Sequence, residues 1–232
     1  MIAVKRLATD IIGLLFPELC NACGTHLYYG EKEICTKCLY DLPYTDYHKH
    51  HENRVAKQLW GRIPLNAAMA MLYFKKGTKV QNLMHALKYK GKTDVGVKFG
   101  NLLGERLQIS DVYKEIDWIM PVPLHPAKEK ARGYNQSEFI AQGIAEVINA
   151  EVSKNHLIRN KITESQTKKS RYTRFENMQA VFTVNKTEEL SNKHVLLIDD
   201  VITTGATLEA CGNALLQTNI NKLSIAAVAF AE

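Results

Sequence analysis

No apolar run in this 232-residue sequence reaches the ~20 residues that a membrane-spanning helix needs, so a transmembrane protein is not expected. A secretory leader is not expected either. The N-terminal apolar stretch from Ile11 to Phe16 is short, follows Asp10 and lacks a small-residue cleavage site. Length and composition give no sign of disorder, because 46% of the residues are hydrophobic and can supply a core. A strong excess of one charge is also missing. Thirty Lys and Arg against 24 Asp and Glu leave a formal net charge of +6, which suits anionic ligands from nucleotides to nucleic acid without choosing among them. The expectation is a soluble, cytoplasmic protein with one large domain, or a standard domain with a small appendage.

Cysteine is scarce except in one place. Of five cysteines, four fall in Cys20-Asn-Ala-Cys23 and Cys35-Thr-Lys-Cys38. Inside a cell, paired thiols favour a metal over disulfides. Each C-x2-C knuckle brings two sulfurs to one point, and two knuckles supply the four thiolates of a closed tetrahedral zinc site. Such a site leaves no position for a substrate, so the zinc is expected to be structural, folding a segment that has little core of its own. His26, His48, His50 and His51 lie nearby but are not needed to complete the ligand set.

The chain is organised around HVLLIDDVITTGATLEACGNALL, His194 to Leu216. Val195 to Ile198 reads as a buried strand. It stops at Asp199 and Asp200 and the small-residue turn Thr203-Thr204-Gly205-Ala206-Thr207, and Leu208, Cys211 and Leu215 then recur at helical spacing. A helix's first amides have no internal partner, so a phosphate placed before them gains several donors and the positive end of the dipole. Gly205 and Ala206 allow close approach, and Thr203, Thr204 and Thr207 add hydroxyls. Two carboxylates at the strand's C-terminal end can accept hydrogen bonds from a sugar diol. Phosphate and diol together describe a ribose 5-phosphate.

Along the rest of the chain, residues 1 to 19 fit an amphipathic helix ending before Pro17 and packing on the protein's own body. Asp41 to Gly61 reads as a polar connection. Ala67 to Phe74 is a plausible first strand, Val80, Leu83, Met84 and Leu87 mark a helix, and a second helix runs near Gly96 to Leu107. Trp118 to Val122 reads as the first strand of the central sheet. PVPLHPAKEKARGYNQ follows it as a proline-stiffened turn that places Lys128, Lys130 and Arg132 where an anion would be received. A helix from Gln136 buries Phe139, Ile140, Ile144, Val147 and Ile148. Leu157 to Asn177 carries Arg159, Lys161, Lys168, Lys169, Arg171 and Arg174 without a period and reads as a basic loop. Ala180 to Val184 and Leu223 to Phe230 complete the strands.

The stretch from Val195 to Leu208 resembles the 5-phosphoribosyl-1-pyrophosphate (PRPP) signature of type I phosphoribosyltransferases. The resemblance implies an α/β fold, a parallel sheet flanked by helices. It implies that Asp199 and Asp200 hold the ribose hydroxyls and that Thr203, Thr204, Gly205, Ala206 and Thr207 hold the 5-phosphate. Lys128 and Arg132, with Arg159, Gln166 and Arg171 from a closing loop, would face pyrophosphate, and magnesium would accompany PRPP. The cysteine knuckles, LKYKG, PVPLHPAKEKARGYNQSE, the pattern Arg159-x3-Thr163-x2-Gln166-x4-Arg171-x5-Asn177 and LIDDVITTGATL together look like the ComF family, which includes competence proteins for DNA uptake. That likeness divides the chain into a zinc-bearing segment with its connection, 1–60, and a phosphoribosyltransferase-like domain, 61–232. It also draws attention to Lys88, Tyr89 and Gly91, which local chemistry alone explains as helix capping.

Two functions compete, ahead of a third, a regulatory PRPP sensor without catalysis. One is ribose 5-phosphate transfer to an acceptor that the sequence does not name, with Asp199, Asp200 and Arg171 at the chemistry. The other is a non-catalytic module that keeps the fold and binds single-stranded DNA or a DNA-uptake protein, for which Tyr89, Tyr134 and Tyr172 among basic residues are a weak sign.

Overall fold

The computed structural model describes residues 17–153, 155–160 and 181–231. Its strands are β1 (Ala67–Phe74), β2 (Trp118–Pro121), β3 (Glu151–Val152), β4 (Leu157–Arg159), β5 (Phe182–Val184), β6 (His194–Ile202) and β7 (Lys222–Ala231). The α-helices are α1 (Thr36–Tyr40), α2 (Arg54–Leu59), α3 (Lys79–Tyr89), α4 (Thr93–Gln108), α5 (Pro126–Arg132), α6 (Gln136–Ile148) and α7 (Ala206–Leu216). Five strands form a parallel sheet in the order β1-β7-β6-β2-β3, and β4 pairs antiparallel with β5.

Parallel strands with helices on both faces must be apolar on both sides, and their sequences run continuously rather than alternating. Val195 to Ile198 in β6 and Ile225 to Ala229 in β7 obey this, each residue being fully buried. Because β2 and β6 are parallel neighbours, with Pro121 opposite Ile198, the loops leaving both strands open at one edge of the sheet. That edge carries Asp199, Asp200, the TTGAT turn and the proline segment.

The sheet's flank is held by α4 against α6 at very close range. A Cβ on Gly100 would stand 2.2 Å from the Ile140 carbonyl oxygen, and one on Gly143 would stand 2.1 Å from that of Val97. Two backbones meet there where side chains normally separate helices by 8–10 Å. The crossing fixes α6, and with it Ser137 at the sheet's open edge.

Three segments differ from the sequence expectation. Asp41 to Gly61, read as a polar connection, contains a 3-10 turn at Tyr47–Lys49 and the helix α2. Asn53 caps α2 by accepting from the amides of Val55 and Ala56, both at 3.0 Å, and donates to the Ala68 carbonyl of β1 at 2.7 Å. Val55, Ala56 and Leu59 are buried beneath it. Six residues are too few to display a helical repeat. The segment after Pro123, read as a stiffened turn, becomes α5, with Pro126 in its first turn and Gly133 ending it at φ +85°. The start of the expected basic loop, Leu157 to Arg159, is β4, and its partner β5 lies across the undescribed stretch. The expected N-terminal helix falls almost wholly outside the described residues, and Gln166, Lys168, Lys169, Arg171 and Arg174 fall wholly outside them. Among the described residues no helix is long and apolar enough to cross a membrane.

Candidate functional site

The open edge begins with the two acids of β6. Asp200 is buried and Asp199 half-buried. One Asp199 oxygen, Oδ1, accepts from the Asp200 amide at 2.8 Å and from Ser137 Oγ at 3.5 Å. Burial, reinforced by the neighbouring Asp200 carboxylate, pushes the Asp199 carboxyl up from 3.8 to about 7. Asp200 has a partner of its own. Lys88 Nζ, at the end of α3, lies 2.7 Å from Asp200 Oδ2, and both side chains are largely shielded, 23% and 6% exposed.

Lys88 also belongs to a second feature. A cavity of about 380 Å³ lies between the end of α3 and α5, lined by Lys88, Tyr89, Gly91, Lys128, Ala131, Arg132 and Tyr134. Arg132 donates to Gln136 Oε1, and its guanidinium sits 5.5 Å over the Tyr89 ring. Tyr134 donates its hydroxyl to the Leu87 carbonyl and packs edge-on against Phe139. LKYKG and the proline segment, read separately in the sequence, therefore form one basic, aromatic wall beside the acid pair. Arg159 is not part of it. It stacks on Phe182, with Cζ 5.4 Å from the ring, and lines a separate cavity of about 210 Å³ with Pro121, Pro123 and Glu129.

The turn from Thr203 to Thr207 encloses a hollow of about 40 Å³ together with Asp199. Gly205 takes φ +73°, a conformation that L side chains rarely adopt, and a Cβ there would press on Leu59 Cδ2 at 2.9 Å. Two residues that sequence reading missed hold the back of this turn. Gln58 Nε2 donates to the Thr203 carbonyl at 2.6 Å, and Arg62 Nη1 donates to the Thr204 carbonyl at 2.8 Å. Arg62 also pairs with Glu209 in the first turn of α7, its Nε lying 3.0 Å from Oε2. The polar character of the segment was visible in the sequence, but nothing local links it to a turn some 140 residues away.

The four cysteines converge. Their sulfurs all lie within 4.8 Å of one another, with Cys23 and Cys35 at 3.9 Å. Ligands about 2.3 Å from a tetrahedral centre stand about 3.8 Å apart, so the set fits such an ion. The Cys35 amide donates to Cys20 Sγ at 3.3 Å and the Cys38 amide to Cys35 Sγ at 3.4 Å, which suits thiolates. Among the described residues no other cluster of His, Cys, Asp or Glu has metal-binding proximity, and the nearby histidines take no part. The knuckles lean on α3: Asn82 Nδ2 donates to the Ala22 carbonyl at 2.9 Å, and Lys79 pairs with Asp41 at 2.9 Å.

Residues 136–232 match the phosphoribosyl transferase domain family. With the five-stranded parallel sheet and its acidic strand end, this match defines a protein with a phosphoribosyltransferase fold. Three relatives go further. Competence protein F of Haemophilus influenzae is 23% identical over 227 residues, covering 89% of this chain and 94% of that protein. DNA utilization protein YhgH of Escherichia coli K12 is 24% identical over 224 residues, covering 88% and 93%. Competence protein ComFC of Bacillus subtilis is 31% identical over 109 residues, covering 47% and 42%. Over most of its length the chain is similar to the first two of these proteins, and it carries a four-cysteine segment at its N-terminal side.

Proposed function

We propose that the protein binds PRPP with magnesium at the C-terminal edge of β6 and transfers its ribose 5-phosphate to a nucleophilic acceptor, releasing pyrophosphate. The observation that carries this reading is the acid pair followed by the phosphate-sized turn, facing a basic wall at the open end of a parallel sheet. Asp199 and Asp200, once ionised, accept hydrogen bonds from the ribose hydroxyls. Amides and hydroxyls of Thr203 to Thr207 receive the 5-phosphate. Lys128 and Arg132 attract the pyrophosphate and the charge that develops on it as it leaves, with Arg159 at the end of β4 and Gln166 and Arg171 from the stretch after it completing the set. Magnesium neutralises the pyrophosphate, whose own oxygens supply most of its ligands. Zinc fits the four thiolates and holds the N-terminal segment together. A cytoplasmic protein acting on incoming DNA accords with the names competence protein and DNA utilization protein carried by the relatives.

A second reading, a binding module for single-stranded DNA or a DNA-uptake partner, has one observation in its favour. Tyr89 is 69% exposed and stands among Lys88, Lys128 and Arg132, a pairing of ring and cation that suits unstacked bases. Calorimetry separates the two. Magnesium-dependent PRPP binding by zinc-loaded protein, lost in Asp200→Ala, supports the transferase reading. Folded protein that ignores PRPP but binds oligonucleotide with an affinity falling steeply in salt supports the other.

A further inference from the structure

From the back of the TTGAT turn we infer that Gln58 and Arg62 are positioning residues for the 5-phosphate cradle, supplied by a segment that lies outside the matched phosphoribosyl transferase region. This rests on the reading that the turn receives a ribose 5-phosphate. In a planar trans peptide the C=O and the following N–H point in opposite directions. Holding the Thr203 carbonyl on Gln58 at 2.6 Å therefore aims the Thr204 amide away from α2, and holding the Thr204 carbonyl on Arg62 at 2.8 Å does the same for the Gly205 amide. Two donors of the cradle are fixed before any ligand arrives. Leu59 completes the support, since its Cδ2 methyl lies only 2.9 Å from where a Cβ of Gly205 would be.

Arg62 has a second task. Glu209 stands in the first turn of α7, where a carboxylate repels the dianionic phosphate that the turn would bind. The Arg62 guanidinium, contacting Glu209 Oε2 through both Nε and Nη2, cancels that charge from the side away from the cradle. Arg62 and Glu209 are 31% and 25% exposed, so solvent screens the pair only in part. Arg62 Nη1 also reaches the Gln58 carbonyl at 3.3 Å, so the two positioning residues brace each other.

The test compares two ligands that occupy opposite ends of the proposed PRPP site, ribose 5-phosphate and magnesium pyrophosphate, titrated calorimetrically into the full, metal-loaded chain. Arg62→Ala is expected to weaken ribose 5-phosphate by about tenfold or more and Gln58→Ala by about threefold, as for loss of a charged and a neutral hydrogen bond. Pyrophosphate affinity is expected to stay within about twofold. Adding Glu209→Gln to Arg62→Ala should recover part of the loss, because the carboxylate left behind is then neutral, and Arg62→Lys should lie between wild type and Arg62→Ala. Equal loss of both ligands, or no recovery from Glu209→Gln, assigns Arg62 to general stability and overturns the inference. Unchanged ribose 5-phosphate affinity in both single variants overturns it too. If the wild type binds pyrophosphate but no ribose 5-phosphate, the underlying reading falls and takes this assignment with it. Should Arg62→Ala fail to fold, Gln58→Ala and Arg62→Lys carry the same comparison.

Discussion

Replacing Lys88 by methionine keeps the length of the side chain and removes the charge that lies 2.7 Å from Asp200 Oδ2. At an effective dielectric of 20, two unit charges at that distance attract by about 6 kcal/mol before desolvation is counted. Most of that is offset by the cost of taking both groups out of water. Removing only one partner is different, because the acid stays buried without its counter-charge, and such changes cost about 3–5 kcal/mol. With Lys88 still 23% exposed, the lower end is expected, about 3 kcal/mol in a urea titration at pH 8. The loss should shrink at pH 5.5. Lys88 is one of the charges that restrain the rise of the Asp199 pKa, so without it Asp199 climbs further above about 7. A carboxyl whose native pKa is raised binds more protons folded than unfolded, and stability falls as pH rises from about 4 to the native value. The deficit of Lys88→Met should thus be greatest in alkali. A double-mutant cycle with Asp200→Asn isolates the pair, with an expected coupling of about 2 kcal/mol. A coupling below about 0.5 kcal/mol, or a deficit that grows on acidification, refutes the reasoning.

In the wild type, Asp199 titrating near 7 should make PRPP affinity rise with pH through neutrality, with proton release at pH 6.5 visible as a dependence of binding heat on buffer; Asp199→Asn should abolish that release. Gly100→Ala drives a methyl to 2.2 Å from the Ile140 carbonyl oxygen, so about 3 kcal/mol or more of stability should be lost, read from the denaturation midpoint. Cys38→Ser should lose the bound metal by elemental analysis, and hydrogen exchange should accelerate in residues 17–42 while the amides of β6 stay protected.

The parts of the fold that could be read in the sequence are those whose signal is local. Val195 to Ile198 is a continuous apolar run and lies in a strand as suggested, although β6 does not stop at the acids but runs through Asp199 and Asp200 to Ile202, paired with β7. β1 matched residue for residue, and α6 began at Gln136 as its apolar stripe indicates. The cysteine knuckles declared their own convergence through spacing. Short elements were missed because they are too brief to show a period and depend on partners outside themselves. α2 is helical because Asn53 caps it and β1 covers it, and β4 is a strand only because Phe182 to Val184 lies beside it. Within the site, Asp199, Asp200 and the turn were legible from the order of residue types. The approach of Lys88 to Asp200, the stacking of Arg132 on Tyr89 and the seating of Gln58 and Arg62 were not, because they join segments that only the sheet brings together.

The contact between Gln58 and Thr203 spans 145 residues. A ribosome adding about 5–20 residues per second needs roughly 7–30 s to cover that distance. α2 can settle on β1 almost at once, since Asn53 reaches Ala68 only 15 residues on. It then waits, with Gln58 and Arg62 in place, until the last quarter of the chain emerges. The phosphate cradle is thus assembled onto a waiting template, and a chain stopped before Thr203 would present that template without the turn it serves.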